Sequence, residues 1–178
     1  GALVPIVIFS PLMLATVALI KLTSPGPIIF SQERVGLHNR PFKMYKFRSM
    51  AVQSAAKEKS QWTTPGDPRV TPIGRFIRKT SIDELPQLFN VLKGDMSLVG
   101  TRPPTEDEFE QYNNYYRRRM SITPGLTGMW QVKGRGVVTE FEDVVKLDLE
   151  YIDKWSLSLD FKIMLQTVGV VLFGKGAK

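Results

Sequence analysis

The sequence predicts a mixed α/β fold dominated by helices (a helix-dominated α+β fold), and three observations support this prediction. Residues 1–20 carry no charged side chain, which predicts an apolar N-terminal helix. Two strand-like runs, 28–35 and 41–47, flank a short turn that contains Gly and Asn, and they predict a small β-hairpin. After residue 71, helix-cap patterns repeatedly precede apolar residues at helical spacing, which predicts several amphipathic helices.

The N-terminal segment, residues 1–22, is compatible with three structures. A straight helix of about 20 residues spans the hydrocarbon core of a bilayer. Pro11 removes one backbone hydrogen bond in mid-segment and kinks a helix, and Ser10 is placed to satisfy the carbonyl that this frees. The residues leave open a spanning helix, a buried core helix and a segment that enters a membrane and returns. Because the chain begins inside the apolar run, we expect a fragment, with residues 23–178 forming one domain.

Composition limits the classes of function. The chain has 178 residues and a net charge of +7, a balance that suits nucleic acid, anionic lipid or phosphorylated substrates. It has no zinc pattern, RNA-binding aromatic motif or recognition-helix pattern, so we expect no nucleic-acid partner. The absence of cysteine excludes a thiol nucleophile. The single histidine, His38, lies among turn-forming residues of the hairpin and is expected to be solvated.

The block of residues 80–103 carries the most chemistry. Asp83 and Glu84 stand at a predicted helix start, where Ser81 and Glu84 match a capping box and the helix dipole favours ionised acids. At about 100° of rotation per residue, Asp83 points away from the predicted buried stripe and Glu84 points to its flank. The stripe follows helical spacing and consists of Leu85, Leu88, Phe89 and Leu92.

Two interpretations fit this acid pair. Acids in the first turn of a helix commonly serve as caps. An ionised aspartate can also attack phosphorus and form a covalent intermediate. Basic residues on both sides of the pair favour a phosphorylated substrate, and they are Arg75, Arg78, Lys79 and Arg102.

Two segments follow the acid block. Thr105 and Glu108 predict a capping box for a helix that continues to Arg119. Residues 122–136 contain four glycines and predict a loop. Glycines on both sides of Arg135 leave the backbone of this loop open to an approaching phosphate.

The C-terminal part predicts two helices. The first ends near Trp155, and the second begins at Asp160. The apolar face of the second helix either packs on the core or lies in the membrane interface, and we favour the interface because the chain is basic and its N-terminus is apolar. That face contains Phe161, Met164, Leu165 and Val168.

Six ordered motifs, together with the acid block, extend along nearly the whole chain. They are Ser10-Pro11, Ser24–Gly36, Phe42–Met50, Asp67–Thr71, Pro124–Gly128 and Trp130–Arg135. With these motifs the chain resembles the bacterial monotopic phosphoglycosyl transferases, also called bacterial sugar transferases, and in particular the catalytic domain of their larger members. Thr101 is one departure, because the family usually has proline before Arg102, and we expect it to loosen the placement of Arg102 slightly.

The resemblance implies an activity and a location. Members of the family transfer a phosphosugar from a UDP-sugar to undecaprenyl phosphate, the first membrane step of capsule, exopolysaccharide or O-antigen assembly. The expected mechanism is ping-pong, with a covalent phosphosugar intermediate on Asp83. The resemblance also implies that residues 1–22 form a re-entrant membrane helix at the cytoplasmic face of the bacterial inner membrane, in contact with membrane lipid.

Roles for individual residues follow from the family match and from their chemistry. Asp83 and Glu84 are the expected catalytic residues and the expected ligands of Mg²⁺, which binds through one or two carboxylates plus substrate phosphates. Arg102 and Arg135 are expected to bind substrate phosphate, because guanidinium grips it bidentately. An inactive membrane-anchored module that binds nucleotide-sugar or lipid is the alternative function. The sequence leaves open the sugar and the formation of a homo-oligomer. The second choices for phosphate binding are Lys46, Arg48 and Arg78.

Overall fold

The computed structural model of the protein describes residues 2–52, 67–134, 138 and 140–173. Helices dominate this part of the chain and strands are few, which confirms the predicted fold class. The strands are β1 (Ile29–Val35), β2 (Pro41–Phe47), β3 (Ser97–Val99) and β4 (Gly125–Thr127). The helices are α1 (Leu3–Thr23), α2 (Pro72–Lys79), α3 (Gln87–Lys93), α4 (Glu106–Glu110), α5 (Asn114–Arg117), α6 (Met129–Lys133), α7 (Phe141–Asp153) and α8 (Leu157–Phe173).

Helix α1 runs without interruption through Pro11 for 21 residues. Because Pro11 has no N–H, the carbonyl of Val7 loses its helical donor, and the Ser10 hydroxyl donates to that carbonyl oxygen at 2.8 Å. The role expected for Ser10 is therefore confirmed. The expected kink at Ser10-Pro11 is not confirmed, and re-entry into the membrane stays a prediction.

The two halves of α1 have different surroundings. In the second half, Met13, Val17 and Ile20 pack against a core formed with Phe47 of β2 and Ile77 of α2. In the first half, large apolar side chains are exposed. The helix is long and apolar enough to cross a membrane, with a mean hydropathy of 2.5 over an 18-residue window, of which only 11% is buried in the protein. This exposure argues against a helix buried in the core.

The β-hairpin agrees closely with its prediction. Strands β1 and β2 pair antiparallel from Ile29 opposite Phe47 to Val35 opposite Pro41. A 3-10 turn joins them, and within it His38 has a positive φ of 53° and an exposed side chain. His38 is therefore the solvated turn residue that the sequence predicts.

A second, parallel pair of strands was not predicted. Ser97 of β3 lies opposite Gly125 of β4, and Val99 lies opposite Thr127. At the end of β3 the backbone of Gly100 touches the place that a Cβ on Gly125 would occupy, so glycine is required for this approach. The prediction of a loop over residues 122–136 is wrong in part, because β4 and α6 lie within it.

The segment between β3 and β4 is more broken than its pattern indicates. Thr105 and Glu108 form the predicted capping box, with each side chain bonded to the other's backbone N–H. The prediction of one helix to Arg119 is wrong, because α4 ends at Glu110. Asn113 then caps α5 with a hydrogen bond to the N–H of Tyr116.

The last helix, α8, begins at Leu157 rather than Asp160. Its buried side contributes Ile163 to a core shared with Val99, Met129 and Tyr151, and Met164 packs against this core. The remaining residues of the predicted apolar face are exposed, which favours the interfacial interpretation of this helix. Their exposed fractions are 64% for Phe161, 74% for Leu165 and 56% for Val168.

Candidate active site

The acid pair lies on a 3-10 turn, Ile82–Glu84, which follows α2 in the chain and packs against α2 and β2. Ser81 enters this turn in the left-handed conformation with φ 56° and makes no side-chain cap hydrogen bond, so the predicted capping box is wrong. Helix α3 begins only at Gln87. A left-handed non-glycine residue carries backbone strain, and its position two residues before an acid pair is typical of a functional site.

The turn also reverses the predicted orientation of Asp83. In place of a side chain opposite the buried stripe, Asp83 is buried with 9% of its surface exposed. Leu88 is buried as predicted, but Phe89 and Leu92 are 40% and 50% exposed. A tight 3-10 turn rotates about 120° per residue, so the helical projection used for the prediction does not apply to residues 82–84.

Burial changes the acidity of Asp83. The loss of solvent, assisted by the negative charge of Glu84, raises the pKa of Asp83 to about 6, while the cations Lys46 and Arg78 oppose this shift. Asp83 thus remains mostly ionised at neutral pH, as expected. The expected influence of the helix dipole on this acid is not the dominant one, because burial dominates and favours the neutral form.

Two predicted cations lie beside the acids. Lys46 of β2 donates from Nζ to Glu84 Oε1 at 2.8 Å. Arg78, near the end of α2, donates from Nε to the Ser49 hydroxyl at 2.7 Å. The structure therefore brings Lys46, Arg78 and both acids into one cluster.

Arg48 has different partners. Its Nη1 donates to the Pro25 carbonyl at 2.6 Å, and its Nη2 donates to the carbonyl and hydroxyl of Ser24 at 2.8 and 2.7 Å. The side chain is buried, with 7% of its surface exposed. Arg48 therefore connects the end of α1 to the hairpin, and it does not line the cleft in front of Glu84 and Lys46.

An open cleft lies in front of Glu84 and Lys46. On its other side Arg102 lies over the ring of Trp130, with 5.7 Å from the guanidinium carbon to the ring centroid. The structure thus places Arg102 where a ligand in the cleft can reach it. Arg135 lies outside the described residues.

A buried network fixes the segment that carries Arg102. Thr101 is fully buried, and its hydroxyl donates to the Arg119 carbonyl at 3.0 Å. Arg119 in turn donates from Nη2 to the Arg102 carbonyl at 3.2 Å and from Nε to Asp148 Oδ2 at 2.8 Å. The hydroxyl of Thr101 thus anchors this turn, in contrast to the looser placement that we expected.

Sequence reasoning missed three charged residues of this region. Arg119 and Asp148 are buried as an ion pair behind Arg102. Arg34 of β1 lines the cleft, with 8% of its surface exposed. The available signal for Arg34 was the alternation of side chains along a strand, which puts Arg34 on the face of the hairpin opposite the exposed Glu33.

A metal site needs carboxylates or histidines that lie close together. Within residues 2–52, 67–134, 138 and 140–173, no three Asp, Glu or His side chains form a metal-binding group. Asp83 and Glu84 are adjacent carboxylates, which fits a Mg²⁺ ion that takes its other ligands from substrate phosphate and water.

Comparison with known proteins identifies the family of this chain. The family described as bacterial sugar transferase matches residues 1–174. The chain belongs to the bacterial sugar transferase family. This match confirms the family resemblance carried by the motifs.

Three relatives show the range within the family. A galactosyl transferase, CpsE, of Streptococcus agalactiae is 56% identical over 86% of this chain and 36% of its own length. A UDP-N-acetylgalactosamine-undecaprenyl-phosphate N-acetylgalactosaminephosphotransferase of Aeromonas hydrophila is 47% identical over 100% of this chain and 43% of its own length. An undecaprenyl-phosphate galactose phosphotransferase of Salmonella typhimurium is 45% identical over 97% of this chain and 39% of its own length. The chain thus spans less than half of each of these relatives.

Proposed function

We propose that this bacterial sugar transferase moves a phosphosugar from a UDP-sugar to undecaprenyl phosphate by a two-step mechanism with Asp83 as nucleophile. The observation that carries the proposal is the position of Asp83. It is a buried carboxylate with Lys46 and Arg78 nearby, next in the chain to Glu84, which lines the cleft, and in the part of the fold where α1 packs.

In the first step an oxygen of the Asp83 carboxylate attacks the sugar-linked β-phosphorus of the donor. The bond from this phosphorus to the bridging oxygen breaks, and UMP leaves with the electron pair. A pKa of about 6 makes this carboxylate more basic than an ordinary aspartate while it remains ionised at neutral pH. Both properties favour a nucleophile.

In the second step a phosphate oxygen of undecaprenyl phosphate attacks the phosphorus of the phosphosugar. The bond from this phosphorus to the Asp83 oxygen breaks, the carboxylate leaves with the electron pair, and undecaprenyl-diphospho-sugar is formed. This step requires a lipid phosphate to reach a site that was occupied by a soluble donor. Ile82 and Leu85, on either side of the acid pair, pack against the core that contains Ile20 of α1. The nucleophile is therefore next to the apolar helix that would bring it to a membrane surface.

The cations have complementary roles in this scheme. Mg²⁺, held by Asp83 and Glu84, would supply neutralisation of the diphosphate charge. Arg102, and Arg135 by family resemblance, would bind phosphate oxygens, and Lys46 orients Glu84 through their 2.8 Å contact.

Location completes the proposal. We place the catalytic part at the cytoplasmic face of the bacterial inner membrane, with residues 1–22 re-entrant. The exposed first half of α1 and the exposed apolar face of α8 support contact with lipid. Labelling of an N-terminal tag from outside the cell tests the topology, because a re-entrant helix keeps the tag inaccessible and a spanning helix exposes it.

A direct assay separates the enzyme from an inactive binding module. Purified protein in nanodiscs is incubated with Mg²⁺, undecaprenyl phosphate and each of several UDP-sugars, and released UMP is measured. We expect UMP release with one or a few donors. Binding of UDP-sugar with no UMP release from any of them would favour the inactive module. The relatives act on different sugars by name, so the panel should include UDP-galactose and UDP-N-acetylgalactosamine.

A further inference from the structure

We propose that Arg34 is a phosphate-binding residue of the cleft and, with Arg102, holds the diphosphate of the donor. The identity of the ligand as a donor diphosphate rests on the proposed function. The existence of a diphosphate site at Arg34 rests on the contacts, the burial and the charge of Arg34 and its neighbours.

The hydrogen bonds of Arg34 leave its charge largely unmatched. Its Nη1 donates to the Pro103 carbonyl at 3.2 Å, and its Nη2 donates to Gln32 Oε1 at 2.8 Å. Both acceptors are neutral. Its Nε is buried and has no acceptor in the described part of the chain. A guanidinium removed from water in this way is costly unless an anion completes its shell.

The carboxylate nearest to Arg34 is a weak partner. Glu108 Oε2 lies 3.7 Å from Arg34 Nη1. The same Oε2 accepts a hydrogen bond from the backbone N–H of Thr105 at 2.8 Å, as part of the capping box of α4. Glu108 is therefore positioned by the helix end, and its distance from Arg34 exceeds that of a charge-assisted hydrogen bond.

A second cation is close to Arg34. Burial and the positive charge of Arg102 lower the pKa of Arg34 to about 10, with Glu108 opposing. Both arginines line the cleft together with Lys46 and Glu84, which are bonded to each other. The charged lining therefore has a positive surplus located at Arg34 and Arg102.

Two guanidinium groups on one cleft suit a diphosphate. Each group can form a bidentate contact with phosphate oxygens, and two groups can bind the two phosphates of one ligand. Arg34 is held by β1 and by the Pro103 carbonyl, and the Arg102 guanidinium lies over the ring of Trp130, so both groups have a support in the fold before a ligand arrives.

Binding of inorganic pyrophosphate, measured by calorimetry on the nanodisc protein, tests the inference. We expect Arg34→Gln to weaken pyrophosphate binding by roughly 10- to 100-fold, the scale of a hydrogen bond to a charged group. Glu108→Gln is the matched control, because glutamine keeps the capping box while it removes the charge. It should leave the affinity unchanged or tighter.

The outcomes distinguish an anion-binding role of Arg34 from a purely structural one. Equal weakening by both variants would assign Arg34 to structural support through Glu108 and overturn the inference, as would a wild-type protein that does not bind pyrophosphate. If Arg34→Gln fails to fold, Arg34→Lys replaces it. We expect a smaller but measurable loss with lysine, and an unchanged affinity would overturn the inference.

The result is separable from the proposed function. A wild-type protein that releases UMP, paired with an Arg34→Gln variant of normal pyrophosphate affinity, would leave the function standing and overturn the role of Arg34. Loss of pyrophosphate binding in that variant, with no UMP release from wild type, would support the anion site and contradict the enzyme.

Discussion

Two buried aspartates in this protein have opposite surroundings. Asp148 on α7 has 1% of its surface exposed, and its carboxylate is bonded directly to Arg119, which also donates to the Tyr112 hydroxyl at 2.7 Å. Asp83 has 9% exposed, and in the described part of the chain it has no cation within ion-pair distance, although Lys46 and Arg78 influence its pKa. Burial raises the pKa of both carboxyls to about 6, so acidity does not separate them. The difference is contact, because the carboxylate bonded to Arg119 is held in the core, whereas the one that is only flanked by cations remains available to react.

The largest effect on stability should come from replacement of Asp148, the aspartate that is bonded to Arg119. Asp148→Asn leaves Arg119 buried without its counter-ion, so the free energy of unfolding should fall by about 3–5 kcal/mol. Asp153→Asn on the same helix is the control. Its carboxylate forms an exposed pair with Arg118 at 2.9 Å, and its loss should cost less than about 1 kcal/mol. Thermal unfolding of both variants checks this, and equal effects would remove the distinction between the two pairs.

Replacement of Asp83, the aspartate that is only flanked by cations, should stabilise the protein at neutral pH. Burial raises the pKa of Asp83 from 3.8 to about 6, so its charged form destabilises the fold at neutral pH by at most about 3 kcal/mol. Because the folded-state pKa lies above the unfolded one, this group contributes stability that is present below pH 4 and lost as the pH rises through 6. Asp83→Asn should therefore unfold at a higher temperature than wild type at pH 7, and the gap should narrow towards pH 4. A lower unfolding temperature at pH 7 would show that the charged form is stabilised.

Glu84 sharpens the comparison, because it is the acid of the pair that contacts a cation directly. Glu84→Gln removes a candidate Mg²⁺ ligand and the charge that Lys46 faces at 2.8 Å. We expect the rate of UMP release to fall roughly tenfold and to depend less on Mg²⁺, the scale of one charge-assisted contact of about 1–2 kcal/mol. Titration of activity with Mg²⁺ in both proteins measures this. Superimposable curves would leave Glu84 with a structural role.

The sequence predicted best those features that depend on neighbouring residues. The hairpin follows from two runs of strand formers around one turn, and the capping box of Thr105 and Glu108 follows from a four-residue pattern. The family motifs also identified five residues of the site, which are Asp83, Glu84, Lys46, Arg78 and Arg102. The structure places both acids, Lys46 and Arg78 in one cluster, and Arg102 lines the cleft.

Features that depend on distant residues were not predictable. The left-handed Ser81 begins a 3-10 turn in which Asp83 is buried, and a helical projection cannot show this. The parallel pairing of β3 with β4 joins segments separated by two helices and has no local signal. The Arg119–Asp148 pair likewise forms only when α7 packs behind the Arg102 turn.

The measurement that tests the central claim most directly is the mass of the protein after incubation with a UDP-sugar and Mg²⁺ in the absence of lipid acceptor. If Asp83 is the nucleophile, wild type should gain the mass of one phosphosugar, peptide mapping should place it on Asp83, and undecaprenyl phosphate should remove it. Asp83→Asn, folded and at least as stable at neutral pH, should show no adduct and no UMP release. An adduct on another residue, or UMP release by Asp83→Asn at a rate near that of wild type, would contradict the account.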